Sequence, residues 1–432
     1  MHRRVITWAL LGLMSAATFS FAAESGAKYG TWPQWRGPDR DGKSTETGLL
    51  KDWEKTPPKL LWTTEGFGEG FSAITIADGK LFTTGNFPEG QKVICASAAD
   101  GAIVWATPFT EKTPKHGHEG ARSSPSIDGD RVYVVGSNGS VACLKIADGA
   151  VVWQKDFKKE WDGKLQKGWG FSESPLVDGD RVLCTPGGKE AMIVALNKMT
   201  GDEIWRTPMQ DIGKRGTDGA GYSSMAISNG GGTKQYVQLT GRGVIGVRAS
   251  DGKFLWGYND IANDTANIPT VICKDDYVFT STGYGTGAAL LKLSSDGDGV
   301  KAEEQYFLEA KTLQNHHGGL VMVGDYIYGG HGHNKGFPIC LEWKSGKVVW
   351  GGDQRGVGDG SAAVTYADGN LVFRYQSGHV ALIEASPDGY KLKGSFTPPV
   401  KERESWAHPV VAGGRLYLRE QNKLMCYDIK AE

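Results

Sequence analysis

Six cysteines in 432 residues, none beside another, give little material for a disulfide framework. Four of them, Cys95, Cys143, Cys340 and Cys426, recur at one place in VICAS, VACLK, PICLE and LMCYD. A repeated small apolar seat reads as core packing, so no disulfide is expected. Excess charge is lacking too. There are 48 basic and 49 acidic residues, for a formal net charge of −1. Such a balance provides no field for nucleic acid or an anionic membrane, and neither is expected as a partner. Beyond residue 21 no uncharged apolar run is long enough to span a bilayer, so an integral membrane protein is excluded. No complete DxDxDG calcium loop is present, and no serine, histidine and acid order marks a triad.

What is present begins with MHRR and then VITWALLGLMSAATFSF, a charge-free stretch at 5–21 followed by small residues. This is the pattern of a secretory leader, with a cut expected after Ala22. No cysteine near that point could carry a lipid anchor. The expected organisation is a signal peptide at 1–22, an extension at 23–57 packed on the main domain, and one repeat domain at 58–432. The expected location is periplasmic or secreted, and the expected state a soluble monomer.

Glycine is abundant, at 62 residues, without a collagen-like period. Six stretches end in tryptophan, at Trp62, Trp105, Trp153, Trp205, Trp256 and Trp350. Successive gaps are 43, 48, 52, 51 and 94 residues, the last being two periods. The copy without tryptophan lies in SSDGDGVKAEEQYF, where Tyr306 or a neighbour takes its place, and SPDGYKLKGSF supplies a further copy ending at Phe396. A repeat of this length marks an array. Each unit reads as four short strands joined by Asp-Gly and Asn-Gly turns, the signature of tight hairpins. The expected fold is all-β, an eight-bladed propeller of four-stranded antiparallel blades. The last unit, 405–429, has three strands, while PPKLLW waits as an orphan strand before the first unit. Pairing the two closes the ring. Residues 24–57 are expected to run across the outside of it.

The unit V-x-A-L/C-x-x-x-[TD]-G-x-x-x-W, as in VALNKMTGDEIW and VACLKIADGAVVW, resembles the pyrroloquinoline-quinone-like propeller repeat family. That family includes BamB-like exported propellers and, more distantly, quinone-dependent alcohol dehydrogenases. The resemblance covers nearly the whole chain beyond the leader and implies the fold; its repeat residues do structural work in enzymes and non-enzymes alike. It also implies what a quinone enzyme would need: a vicinal disulfide over the cofactor, a calcium-binding Glu, Asn and Asp set, and a catalytic Asp. None can be assigned in this chain, so no quinone cofactor is expected.

Four of the nine histidines lie in QNHHGGLVMVGDYIYGGHGHN. In the propeller reading, His316 and His317 lead into a first strand, and His331 and His333 lie between second and third strands of the same blade. Both places open on one face. Imidazole suits first-row transition metals, so these four are candidate ligands for a divalent metal. Equivalent places in other blades supply Arg122, Trp169, Tyr222, Trp406 and His408, with Arg242 from a second-to-third connection. Together they predict a polar and aromatic funnel. The function read from this pattern is binding of a small molecule, saccharide or exported protein. The alternative is a histidine-dependent enzyme, with or without a metal, acting on sugars or acidic polysaccharide in the manner of a lyase. A quinone-dependent oxidoreductase is the third class.

Overall fold

The computed structural model describes residues 28–432, so the expected leader at 1–22 lies outside the described residues. Eight antiparallel four-stranded sheets form the propeller. Blades 1 to 7 each run in chain order, at 75–108, 126–156, 176–207, 226–258, 272–309, 320–351 and 362–396. Blade 8 takes three strands from 410–428 and its fourth from Lys59–Glu65, which pairs with Lys423–Asp428. The orphan strand therefore closes the ring, and the first and last parts of the repeat region share one sheet.

Eight apolar clusters lie between the sheets, one at each interface between neighbouring blades. The tryptophan of the repeat explains their spacing. Trp105 pairs with Cys95, Trp153 with Cys143 and Trp350 with Cys340, each beside a bulge in the fourth strand. The bulge turns the indole out of its own sheet towards the next blade. There the indole N–H donates to a backbone carbonyl: Trp105 to Ile146, Trp153 to Lys198, Trp350 to Ser386. Its ring lies on a turn glycine of that blade. Gly149 and Gly201 hold φ of +73° and +75°, and an added Cβ would come 2.6 Å from Trp105 or 2.7 Å from Trp153. One glycine thus serves both the turn and the docking surface. In blade 5, Tyr306 takes the seat. It pairs with Leu290 beside the same bulge, and its hydroxyl donates to the Trp343 carbonyl of blade 6.

The seam between blades 8 and 1 carries a further device. Arg419, 2% exposed, donates to Ser72 Oγ at 2.7 Å, Thr83 Oγ1 at 2.7 Å and the carbonyls of Phe67 and Gly68 at 3.0 Å. It joins the last blade to the first without a carboxylate partner.

Residues 32–44, containing WPQWRGPDRDGK, correct the expectation of an external path. This segment reaches every blade. Trp32 bridges Ile76 of blade 1, and the Pro33 carbonyl accepts from Ile127 of blade 2. Arg40 donates to Ser174 and Pro175 beside blade 3 and to Met225 beside blade 4. Trp35 donates to Thr270 beside blade 5, and Arg36 to the Leu320 carbonyl of blade 6. The Ser44 N–H donates to the Tyr366 carbonyl of blade 7, and its hydroxyl donates to the Val411 carbonyl of blade 8. A segment this short can touch all eight blades only on the axis. It fills the channel at the level of the first strands. Arg36 and Arg40 hold left-handed backbone, φ +61° and +57°, which costs energy for a residue with a Cβ. Their buried guanidinium bonds to the blades offset that cost. Residues 49–54 then leave the axis, and Trp53 packs on Phe396.

Candidate functional site

Above this axial segment lies a central cavity of about 340 Å³. Trp35 and Arg36 of the segment line it, so the channel is a blind pocket rather than a pore. Its walls come from lead-in turns and second-to-third connections, as the blade pattern predicts. Arg122, Trp169, Tyr222, Trp406 and His408 all line it. Arg242 does not: its Nε donates to Asp218 at 2.7 Å and it turns away from the axis. Arg374, in the second strand of blade 7, is likewise kept from the cavity, sealed in an ion pair with Glu420 at 2.8 Å, each side chain 1% exposed.

The histidine pairs separate in an informative way. His316, His317 and His333 line the cavity; His331 does not. The His316 ring lies 4.1 Å from His333 and 4.4 Å from His317, centroid to centroid. Tyr284 flanks them, 4.4 Å from His333. His331 closes its strand and accepts the Gln314 backbone N–H at Nδ1, 3.2 Å away. The four expected metal ligands are therefore not gathered round one centre. Among the described residues no group of three or more His, Cys, Asp or Glu side chains is arranged to hold a metal ion.

With Ser361 Oγ as donor to Asn334, the hydrogen bonds select one tautomer of His316. Ser361 Oγ donates to Asn334 Oδ1 at 3.1 Å, which leaves it to accept from His316 Nδ1 at 2.8 Å. His316 Nε2 then accepts from the Tyr284 hydroxyl at 3.0 Å. Tyr284 itself holds φ of +55°, strained for an aromatic residue. Burial pushes the His316 and His408 imidazoles down to about 3, and His317 well below its ordinary value. These rings are neutral at physiological pH and act as hydrogen-bonding wall groups. His408 donates from Nε2 to the His317 carbonyl at 3.1 Å, and its ring lies 4.6 Å from Trp35.

Trp406 is the hub of the opposite wall. Its ring lies 4.7 Å from Phe71, 5.0 Å from His317 and 5.2 Å from His118. Its indole N–H donates to Gln376 at 2.9 Å. Trp169 and Tyr222 stand 5.7 Å apart on another side. Among the wall residues outside the predicted funnel are Trp35, Arg36, His118 and Tyr284. His118 and Tyr284 carried a signal, since their loops open on this face. Trp35 and Arg36 carried none in the blade repeat, because they precede it.

Known folds place this architecture. A quinohemoprotein alcohol dehydrogenase from Comamonas testosteroni aligns with a TM-score of 0.66 at 12% identity, over 96% of this chain and 82% of that one. A quinohemoprotein alcohol dehydrogenase from Pseudomonas putida HK5 gives 0.62 at 13%, over 97% and 82%. A europium-containing methanol dehydrogenase gives 0.61 at 12%, over 93% and 90%. At such identities the likeness is one of fold. No curated protein sequence matches the chain. The family model described as outer membrane protein assembly factor BamB matches residues 89–352, more than half of the chain, and the protein accordingly belongs to this PQQ-like β-propeller family.

Proposed function

We propose that the protein is an exported binding propeller that takes a small molecule, or an exposed group of a partner, into its blind axial pocket. The observation that carries this reading is the pocket itself. It is concave, lined by Trp35, Phe71, Trp169, Tyr222, Tyr284 and Trp406, and interspersed with neutral imidazoles and hydroxyls. Apolar walls with a few convergent polar groups are the usual make-up of a ligand site. Among the described residues no helix is long and apolar enough to cross a membrane. Export rests on the leader-like start of the sequence. The test is a ligand screen read by tryptophan fluorescence and melting temperature, with Trp406→Ala as control. Hits lost in that variant support the pocket; hits it retains place binding elsewhere.

A second reading rests on the Tyr284–His316–Ser361 chain. A phenol bonded to an imidazole whose tautomer is fixed can pass a proton to or from a bound molecule. That arrangement suits a metal-free, lyase-like reaction on an acidic saccharide. Tyr284→Phe separates the two readings: in a binding protein it leaves ligand affinity nearly unchanged and there is no turnover to lose, whereas an enzyme keeps binding and loses product formation.

A further inference from the structure

The wall around Phe71 is unusual in charge. Arg122 lines the cavity, and its Nη2 donates to the carbonyls of Gly117 at 3.1 Å and His118 at 2.6 Å. Its Nε is buried without a partner. Among the described residues no carboxylate lies within ion-pair distance of Arg122; Arg403, which does not itself line the cavity, is 4.0 Å from Glu404, the one carboxylate among the lining residues. Arg403 lies over the same Phe71 ring, the two guanidinium carbons being 5.4 and 5.7 Å from its centroid. Two guanidinium groups on one aromatic ring, with so little counter-charge, repel one another. Part of that is met by the ring's π face. The rest is met by an anion, since a guanidinium presents a planar fork that fits a carboxylate.

The remaining wall says what kind of anion. Beside the aromatic faces stand neutral groups that both donate and accept: Ser172, Ser224, Thr270, Asn334 and Gln376, together with the imidazoles. Hydroxyl-rich rings match that set. Their C–H faces lie on indole, and their hydroxyls find neutral partners. We infer that the pocket recognises an acidic sugar, with its carboxylate at Arg122, its charge favoured by Arg403 across the Phe71 ring, and its ring face against Trp406. This rests on the binding reading given above and adds the ligand class to it.

The experiment is calorimetric titration of the purified protein with a hexuronate and with the corresponding neutral hexose, each as monosaccharide and short oligosaccharide, and with benzoate. Uronate affinity at least tenfold above that of the hexose is expected, and Arg122→Gln should bring the two within about twofold, a fivefold or larger loss of preference, ~1 kcal/mol or more. Arg403→Gln should do the same to a smaller degree and weaken the salt dependence of binding. Melting curves of both variants check folding. Equal affinity for uronate and hexose overturns the acidic-sugar inference and leaves a binding pocket standing. Benzoate binding without uronate binding overturns the sugar half. Failure of every ligand to bind or to raise the melting temperature overturns this inference, while the wider screen decides the binding reading separately.

Discussion

The rim and the axis of this propeller are built by opposite rules. At the rim one solution recurs: an indole leaves its sheet at a bulge and lies on a turn glycine of the next blade, and in blades 1, 2 and 6 its N–H donates to that blade's backbone. At the axis little repeats beyond a serine step, in which the Ser174 and Ser224 hydroxyls each accept a backbone N–H from the preceding blade at 2.9 Å. Equivalent lead-in positions carry side chains as different as Arg122, Tyr222, His317 and Trp406, two arginines and a tyrosine hold left-handed backbone, and among the described residues His317 Nε2 and Arg122 Nε are buried without partners. Structural work that is the same in every blade can be done by one motif. Recognition of something asymmetric cannot, and local rules are broken where function is added. The axial segment joins the regions, because it is at once a core element for eight blades and the floor of the pocket.

The contrast is broken most severely by removing that segment. Deleting residues 28–45 leaves the first strands of all blades facing an empty channel. It strips partners from buried carbonyls at Ser174, Pro175, Met225, Leu320 and Val411. Each unsatisfied group costs about 1–3 kcal/mol, a sum comparable to the whole stability of a domain. The expected outcome is loss of the cooperative unfolding transition in calorimetry. A truncated protein that melts as the parent does would show that the segment is an appendage.

Next in size is a paired substitution that separates rim from axis. Trp153→Ala removes a rim indole that is 8% exposed and should cost about 3–5 kcal/mol in denaturant unfolding. Trp406→Ala removes an indole from the partly open cavity wall. It should cost roughly 1 kcal/mol or less of stability, as for surface substitutions, and abolish ligand-induced quenching. Similar stability losses in both variants would erase the distinction drawn between the two regions.

Sequence periodicity made the rim legible and the axis only partly so. The Asp-Gly turns and tryptophan seats determine blade number, strand order and closure by Lys59–Glu65, because each is a local signal repeated in register. Tyr306 was readable as a substitute only because its neighbours kept the period. Loop placement in a blade also made the funnel legible, which is why Arg122, Trp169, Tyr222, Trp406 and His408 meet. It fails for Arg242 and His331. Arg242 sits in the expected connection and His331 ends the strand just before it, yet Asp218 and the Gln314 N–H capture them. Side-chain direction within a connection depends on such neighbours, which a repeat does not encode. The path of residues 32–44 was illegible for the same reason: its hydrogen-bond partners are spread over 200 residues and more of sequence.

Acid should act on the axis before the rim. His316 and His408 have pKa values near 3 in the folded protein, against about 6.5 when unfolded. The unfolded chain therefore binds more protons between those values, so stability falls as pH falls from about 6.5 towards 3. It is constant from these groups above that window. The slope is about 1.4 kcal/mol per pH unit for each histidine. Denaturant midpoints measured from pH 7 to 4 should show it, and His408→Gln should reduce it. A flat profile would mean that these rings reach water in the folded protein.

The smallest expected effect tests how far the rim is interchangeable. Tyr306 fills the seat that tryptophan fills elsewhere, and its hydroxyl makes the bond to the next blade that an indole N–H makes in blades 1, 2 and 6. Tyr306→Phe keeps the ring and removes only that donor, leaving the Trp343 carbonyl to find another partner. The expected cost is about 1 kcal/mol. Tyr306→Trp should restore the donor from a larger ring. Its outcome is decided by Gly346, where an added Cβ would already approach the Tyr306 ring to 2.9 Å. Blade 5 has a long outer hairpin, 287–309, beside this seat, and a wider indole must displace part of that contact. A change of less than about 1 kcal/mol in either direction is therefore expected for the tryptophan variant. A loss as large as that of Trp153→Ala would show that the blade 5 seat has diverged from the others in shape as well as in residue.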